Sequence, residues 1–171
     1  ATLTVNSNIT LPYEWWGETV TTSISFENLT ITGSAPNGLW ATQSYFEALD
    51  FSVNNCTVKG LRIYNYNNVG GKYAVTNSTL DGTGTSGATA IHAQGSATES
   101  LNINISGNTI SGYERGVNVD QNTAQATVSN NTISVAPGYS CVQISRVGKI
   151  EIKNNDLTLN GSNAFTIHIV A

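Results

Sequence analysis

Val128-Ser129-Asn130-Asn131-Thr132-Ile133 is a six-residue phrase that can be laid down five more times along the chain. The copies are 26–31 (FENLTI), 53–58 (VNNCTV), 75–80 (VTNSTL), 105–110 (ISGNTI) and 152–157 (IKNNDL). Successive copies start 27, 22, 30, 23 and 24 residues apart. A self-similar period in the twenties marks each copy as one coil of a stacked array. The first column is always apolar (Phe26, Val53, Val75, Ile105, Val128, Ile152), and so is the sixth (Ile31, Val58, Leu80, Ile110, Ile133, Leu157). The third holds Asn28, Asn55, Asn77, Gly107, Asn130 and Asn154. Asn and Gly tolerate left-handed backbone angles, so a tight corner is expected there in every coil. The fourth column ends in Asn108, Asn131 and Asn155, whose amides are placed to stack in a ladder.

After each phrase comes a variable loop and a further strand: Leu39-Trp40-Ala41, Leu61-Arg62-Ile63, Ile91-His92-Ala93, Val117-Asn118-Val119, Val142-Gln143-Ile144 and Phe165-Thr166-Ile167. All six alternate inward apolar or small residues with outward variable ones, as a half-buried strand does. The expected fold is all-β, a parallel solenoid of about six to seven coils in a single domain. Residues 1–21 form an N-terminal half-coil and cap, and 22–171 the repeated coils. These NNTI-type phrases resemble the right-handed parallel β-helix of the pectin-lyase-like superfamily, which includes pectate lyases, polygalacturonases and phage tailspikes. The resemblance runs from about Thr22 to the C-terminus and speaks to fold more than to function, since the repeated residues are those the coil geometry needs.

Composition narrows the function classes. Only 11% of the 171 residues are charged, against ~25% in an ordinary domain, and Asn, Thr, Ser and Gly take the surface instead. A net charge of −4 without a Lys/Arg cluster argues against nucleic acid and anionic membranes. No apolar run is long enough to span a bilayer. The start at Ala1, with no initiator Met, fits a mature exported chain or a trimmed one. Cys56 and Cys141 fall three coils apart, a separation of about 14 Å at ~4.8 Å per coil, so no disulfide can join them. Two free thiols are expected, and cysteine usage does not report the compartment.

Residues 3–11 (LTVNSNITL) read as a degenerate opening half-coil, with Val5 21 residues before Phe26. Pro12-Tyr13-Glu14-Trp15-Trp16-Gly17 reads as a lid or an aromatic platform. Residues 43–49 (QSYFEAL) carry the only helical character. Segments 65–71, 81–87, 92–100 and 120–125 are polar and read as loops leaving one face. The last strand, 165–170 (FTIHIV), ends without a polar cap, so a neighbouring domain or subunit is expected to cover the C-terminal coil. Asn-x-Ser/Thr sequons include those at Asn8, Asn28, Asn55, Asn77, Asn104 and Asn130. Four of them fall in the corner column, where coil geometry generates the pattern without any glycan.

In the families the chain resembles, polysaccharide lies along one parallel sheet. Carried over, this gives two outward rows on the further strand: Trp40, Arg62, His92, Asn118, Gln143, Thr166, and Thr42, Tyr64, Gln94, Asp120, Ser145, His168. Trp40, Arg62, Tyr64, His92, Gln94, Asn118, Asp120 and Gln143 make a sugar surface, amides bonding hydroxyls and aromatic faces stacking on rings. A hydrolase needs two acids at a defined separation, but here Asp120 has only Glu114 in the loop before it. A lyase needs a base and a cation for the enolate. The candidates for catalysis are His92 and Asp120 with Arg62 and Arg115. No metal site or cofactor is expected. A Thr column (Thr30, Thr57, Thr79, Thr109, Thr132) suits an ice-binding surface, which Lys59 and Asp81 interrupt two positions on; β-branched Thr also simply suits an exposed strand. The expectation is a non-catalytic, extracellular or cell-surface, adhesin-like module that presents a face to a glycan or a surface protein. The alternative is a polysaccharide lyase or glycoside hydrolase, and ice binding is the remote one.

Overall fold

A computed structural model describes residues 1–5, 9–10, 21–33, 38–42, 48–68, 71–82, 88–95, 101–120, 125–136, 139–161 and 165–170. They form strands and no helix. In chain order these begin β1 (Thr2–Val5), β2 (Ile9–Thr10), β3 (Thr21–Glu27), β4 (Thr30–Gly33), β5 (Gly38–Thr42), β6 (Ala48–Asn54) and β7 (Thr57–Lys59). Then come β8 (Arg62–Asn68), β9 (Gly71–Thr76), β10 (Thr79–Asp81), β11 (Thr89–Gly95), β12 (Leu101–Ser106), β13 (Thr109–Tyr113) and β14 (Arg115–Asp120). The last are β15 (Gln125–Ser129), β16 (Thr132–Val135), β17 (Ser140–Ser145), β18 (Ile150–Lys153), β19 (Asp156–Leu159) and β20 (Phe165–Val170). Every third strand pairs in parallel, which builds three sheets. Sheet A is β1-β4-β7-β10-β13-β16-β19, sheet B is β2-β5-β8-β11-β14-β17-β20 and sheet C is β3-β6-β9-β12-β15-β18. The chain is a parallel β-solenoid.

The repeated phrase is the passage from sheet C to sheet A. Its first column lies in one file, Phe26–Val53–Val75–Ile105–Val128–Ile152, and its sixth in another, Ile31–Val58–Leu80–Ile110–Ile133–Leu157. Both files point inward, and from Val53 to Ile133 their members are almost fully buried. Phe51 stacks on Tyr73 at 5.4 Å and tilts against Phe26 at 6.2 Å, extending the core along the axis.

Between the files the corner column takes the left-handed conformation, with φ between 50° and 56° at Asn28, Asn55, Asn77, Asn130 and Asn154. The ladder does not break at the bend: the N–H groups of Asn28, Asn55, Asn77, Gly107 and Asn130 each donate to a carbonyl of the next coil. At Gly107, whose φ is 69°, a Cβ would lie 2.6 Å from Asn77 Oδ1, the movable end of an exposed side chain. The fourth column turns inward. Asn131 Nδ2 donates to Asn155 Oδ1 (2.9 Å) and to the Ile105 carbonyl (3.0 Å), while its Oδ1 accepts from Asn108 N–H and Nδ2 (3.0 Å each). Ser78 and Cys56 extend this ladder: Ser78 N–H donates to Asn108 Oδ1, and Cys56 N–H to Ser78 Oγ. Both cysteines are buried free thiols, and burial pushes Cys141 up to about 11.

Several local expectations change. β1 pairs with β4 in sheet A, so Leu3 sits opposite Ile31 and Val5 opposite Gly33, not in file with Phe26. The segment 65–71 is mostly strand, since β8 runs to Asn68 and β9 starts at Gly71; likewise β11 carries 92–95. Of the stretch given helical character, Ala48 and Leu49 belong to β6, and the rest lies outside the described residues. The Pro12–Gly17 lid also lies outside them. No helix among the described residues is long and apolar enough to cross a membrane.

Candidate functional site

Sheet B carries the outward residues singled out from the sequence, in a different register. Backbone pairing puts Trp40 opposite Tyr64, Tyr64 opposite His92, His92 opposite Asn118, Asn118 opposite Gln143, and Gln143 opposite His168. Arg62 is therefore not a member of that row. It pairs with Gly38, two positions before Trp40, and Tyr64 takes its place. Thr166 likewise gives way to His168. The second row runs through Gln94, Asp120, Ser145 and Val170. The side chains of Trp40 and Thr42 lie outside the described residues.

The middle of the row is a connected cluster. The Tyr64 ring meets His92 edge-on at 4.6 Å, and the Arg62 guanidinium lies over Tyr64 at 5.8 Å. Asn118 Nδ2 is 3.2 Å from His92 Nε2. With Asn118 donating, Nε2 is the bare nitrogen and Nδ1 carries the hydrogen. Burial is the main cause that lowers His92 to about 4; Asp120 opposes that shift, while Arg115 and Arg62 add to it. The imidazole is neutral at pH 7. Asp120 is held by Arg146 at 3.2 Å, and Arg115 lies over the Tyr139 ring at 5.3 Å.

Asn118 (7% exposed) and Gln94 (6%) are largely buried. Asn118 Oδ1 and Arg115 Nε are buried with no hydrogen-bond partner among the described residues. Each such orphan costs about 1–3 kcal/mol, a deficit that folded chains concentrate at sites with another task.

Of the candidates, Arg62, Tyr64, His92, Asn118, Asp120 and Arg115 converge, with His92 at the centre. Gln143 continues the row. His168, stacked on Phe165 at 4.8 Å, takes the place in the row given to Thr166, while Arg146 pairs with Asp120 and Tyr139, which the sequence reading did not single out, lies under Arg115. Hydropathy could not place His168, since Ile167 and Ile169 fit the inward positions opposite Val142 and Ile144 no better than Phe165 and Ile167 would. Among the described residues, no group of three or more His, Cys, Asp and Glu side chains is placed to hold a metal.

On sheet A, Thr30, Thr57, Thr79, Thr109 and Thr132 do stand in one file, with Thr2 before them and Asp156 after. The fold and this face define the class: a parallel β-solenoid with a mixed aromatic, amide and guanidinium face. No family model, curated protein or solved structure matches the chain.

Proposed function

We propose that the chain is a non-catalytic, extracellular or cell-surface module, adhesin-like, that binds a glycan along the outer face of sheet B. The observation that carries this is the file Tyr64–His92–Asn118–Gln143, rings and amides one coil apart, flanked by Arg62 and Arg115. Rings offer faces to sugar C–H groups and amides pair with hydroxyls as both donor and acceptor. The low charge and the NNTI-type phrases are in keeping with a pectin-lyase-like ancestry. A surface protein would meet the same face, but the linear repeat at about 4.8 Å suits a linear polymer better.

The second reading is a polysaccharide lyase or glycoside hydrolase, favoured by the convergence of Arg62 and Arg115 on His92. It is weakened by His92 itself, whose Nε2 is engaged by Asn118 and whose basicity is low for proton abstraction at neutral pH. Ice binding gains from the Thr file and loses at Lys59 and Asp81, which interrupt the adjacent file.

The test is a glycan array on the purified protein, run beside an assay for unsaturated uronate and reducing ends. Binding that Tyr64→Ala and Asn118→Ala each weaken about tenfold, the loss of one stacked ring or one well-placed amide, with no product, is expected. Product formation abolished by His92→Ala replaces this reading with the lyase or hydrolase. Binding indifferent to all three variants removes the face from consideration.

A further inference from the structure

The outer face of sheet C carries a second feature, unrelated to the sheet B row. A cavity of about 330 Å³ opens over β9, β12 and β15. Its wall is two outward files in register: Lys72–Asn102–Gln125 and Ala74–Asn104–Thr127. Three rungs at ~4.8 Å and a two-residue step along each strand frame a footprint of roughly 10 by 7 Å, the size of one pyranose ring. Ala74 makes the hollow: its own file reads Ser25, Ser52, Ala74, Asn104, Thr127, Glu151, and Ala74 is the smallest side chain in it.

The amides around this hollow make no side-chain hydrogen bond among the described residues, whereas several other outward amides are paired. Asn55 donates to Asn28 (2.7 Å), Asn77 to Asn54 (3.2 Å) and Asn160 to Ser134 (2.9 Å). Asn102 and Gln125 stand directly opposite each other, yet neither they nor Asn104 makes a side-chain hydrogen bond to a described residue. The charge is uncommitted too. Asp50 Oδ1 accepts from the backbone N–H of Lys72 (3.0 Å), and the Lys72 ammonium forms no ion pair among the described residues.

We propose that this hollow is a ligand site for a single sugar-sized, polyhydroxylated molecule bearing one negative charge. Asn102, Asn104 and Gln125 offer donors and acceptors to its hydroxyls, and Lys72 offers the countercharge. The site lies on a different sheet from Tyr64 and His92 and stands or falls independently of them.

The experiment is a two-dimensional 1H–15N titration of the labelled protein with D-glucuronate and, separately, D-glucose, which differ only in the carboxylate. Expected are saturable shifts at Lys72, Ala74 and the side-chain amides of Asn102, Asn104 and Gln125 with glucuronate. Glucose and the Lys72→Ala variant should each bind about 5–10-fold more weakly, the loss of one charge contact. Ala74→Leu, which fills the hollow on an outward position, should abolish the shifts, while Tyr64→Ala should leave them intact. No shift at these residues with either sugar, shifts that persist in Ala74→Leu, or equal affinity for the two sugars overturns the proposal.

Discussion

At Asn131 a side-chain amide takes over the bonding that backbone groups supply along the strands. It satisfies the Asn108 N–H and the Ile105 carbonyl from a site that is 1% exposed. Replacing it by Ala strands several buried groups at once, so Asn131→Ala should cost about 2–4 kcal/mol in urea unfolding, each orphan contributing about 1–3 kcal/mol. Its neighbour Asn130 is exposed and matters for its backbone, at φ 56°. Asn130→Gly should therefore stay within about 0.5 kcal/mol, while Asn130→Val should lose about 1–2 kcal/mol to left-handed strain. Equal effects at the two positions would contradict the division of roles between the columns. Both columns were legible in the sequence, because repetition exposes what a single Asn conceals. His92 was legible only as a candidate. Its folded value of about 4 lies below the ordinary 6.5, so the unfolded chain takes up the proton first as pH falls. Stability should be full above about pH 6.5 and decline towards pH 4, by an amount on the order of 1–3 kcal/mol. Denaturant midpoints measured at pH 7 and pH 4.5 should converge in His92→Gln.

At the scale of the strand, the apolar-x-apolar triplets Leu61-Arg62-Ile63 and Phe165-Thr166-Ile167 match their counterparts in pattern and miss them in register by two residues. Alternation has a period of two, so a slip by two preserves every inside–outside assignment and leaves no trace in hydropathy. Leu61 is buried and apolar yet precedes β8, where it accepts from the Tyr113 hydroxyl. Strand packing also sets a demand that the phrase pattern does not display. A Cβ on Gly116 in β14 would lie 2.5 Å from both the Cys141 carbonyl oxygen and Ile133 Cγ2. The first of these is backbone and cannot swing aside, so Gly116→Ala should destabilise by about 2–3 kcal/mol. Thermal denaturation checks this; a loss under 0.5 kcal/mol would mean the coils can slide apart there.

For the whole molecule, each coil rests chiefly on its immediate neighbours, so stability is distributed along the axis and weakest at an end. β12 alternates buried and exposed residues from Leu101 to Ile105, whereas in β20 Phe165 and Ile169 are about 60% exposed. The outer edges of β18, β19 and β20 close the three sheets without a further strand among the described residues. Native-state hydrogen exchange should therefore show β9 to β16 protected to the global unfolding free energy and β18 to β20 exchanging by local opening. If β20 is instead as protected as β14, a second copy or another chain covers that end, and a change of exchange with protein concentration would separate these two cases.

The coil was legible in the chain alone: six phrases with consistently apolar columns and a left-handed corner admit little else than stacked parallel strands, because each column is a local demand repeated until it is unmistakable. Two free cysteines followed from the same stacking. It took the folded chain to show which outward residues share a row, that the charges of Arg62 and Arg115 are felt at His92, and that Ala74 opens a hollow on sheet C. Outward positions answer to no buried neighbour, so nothing in their identity marks their register; that is settled by hydrogen bonds between coils more than twenty residues apart.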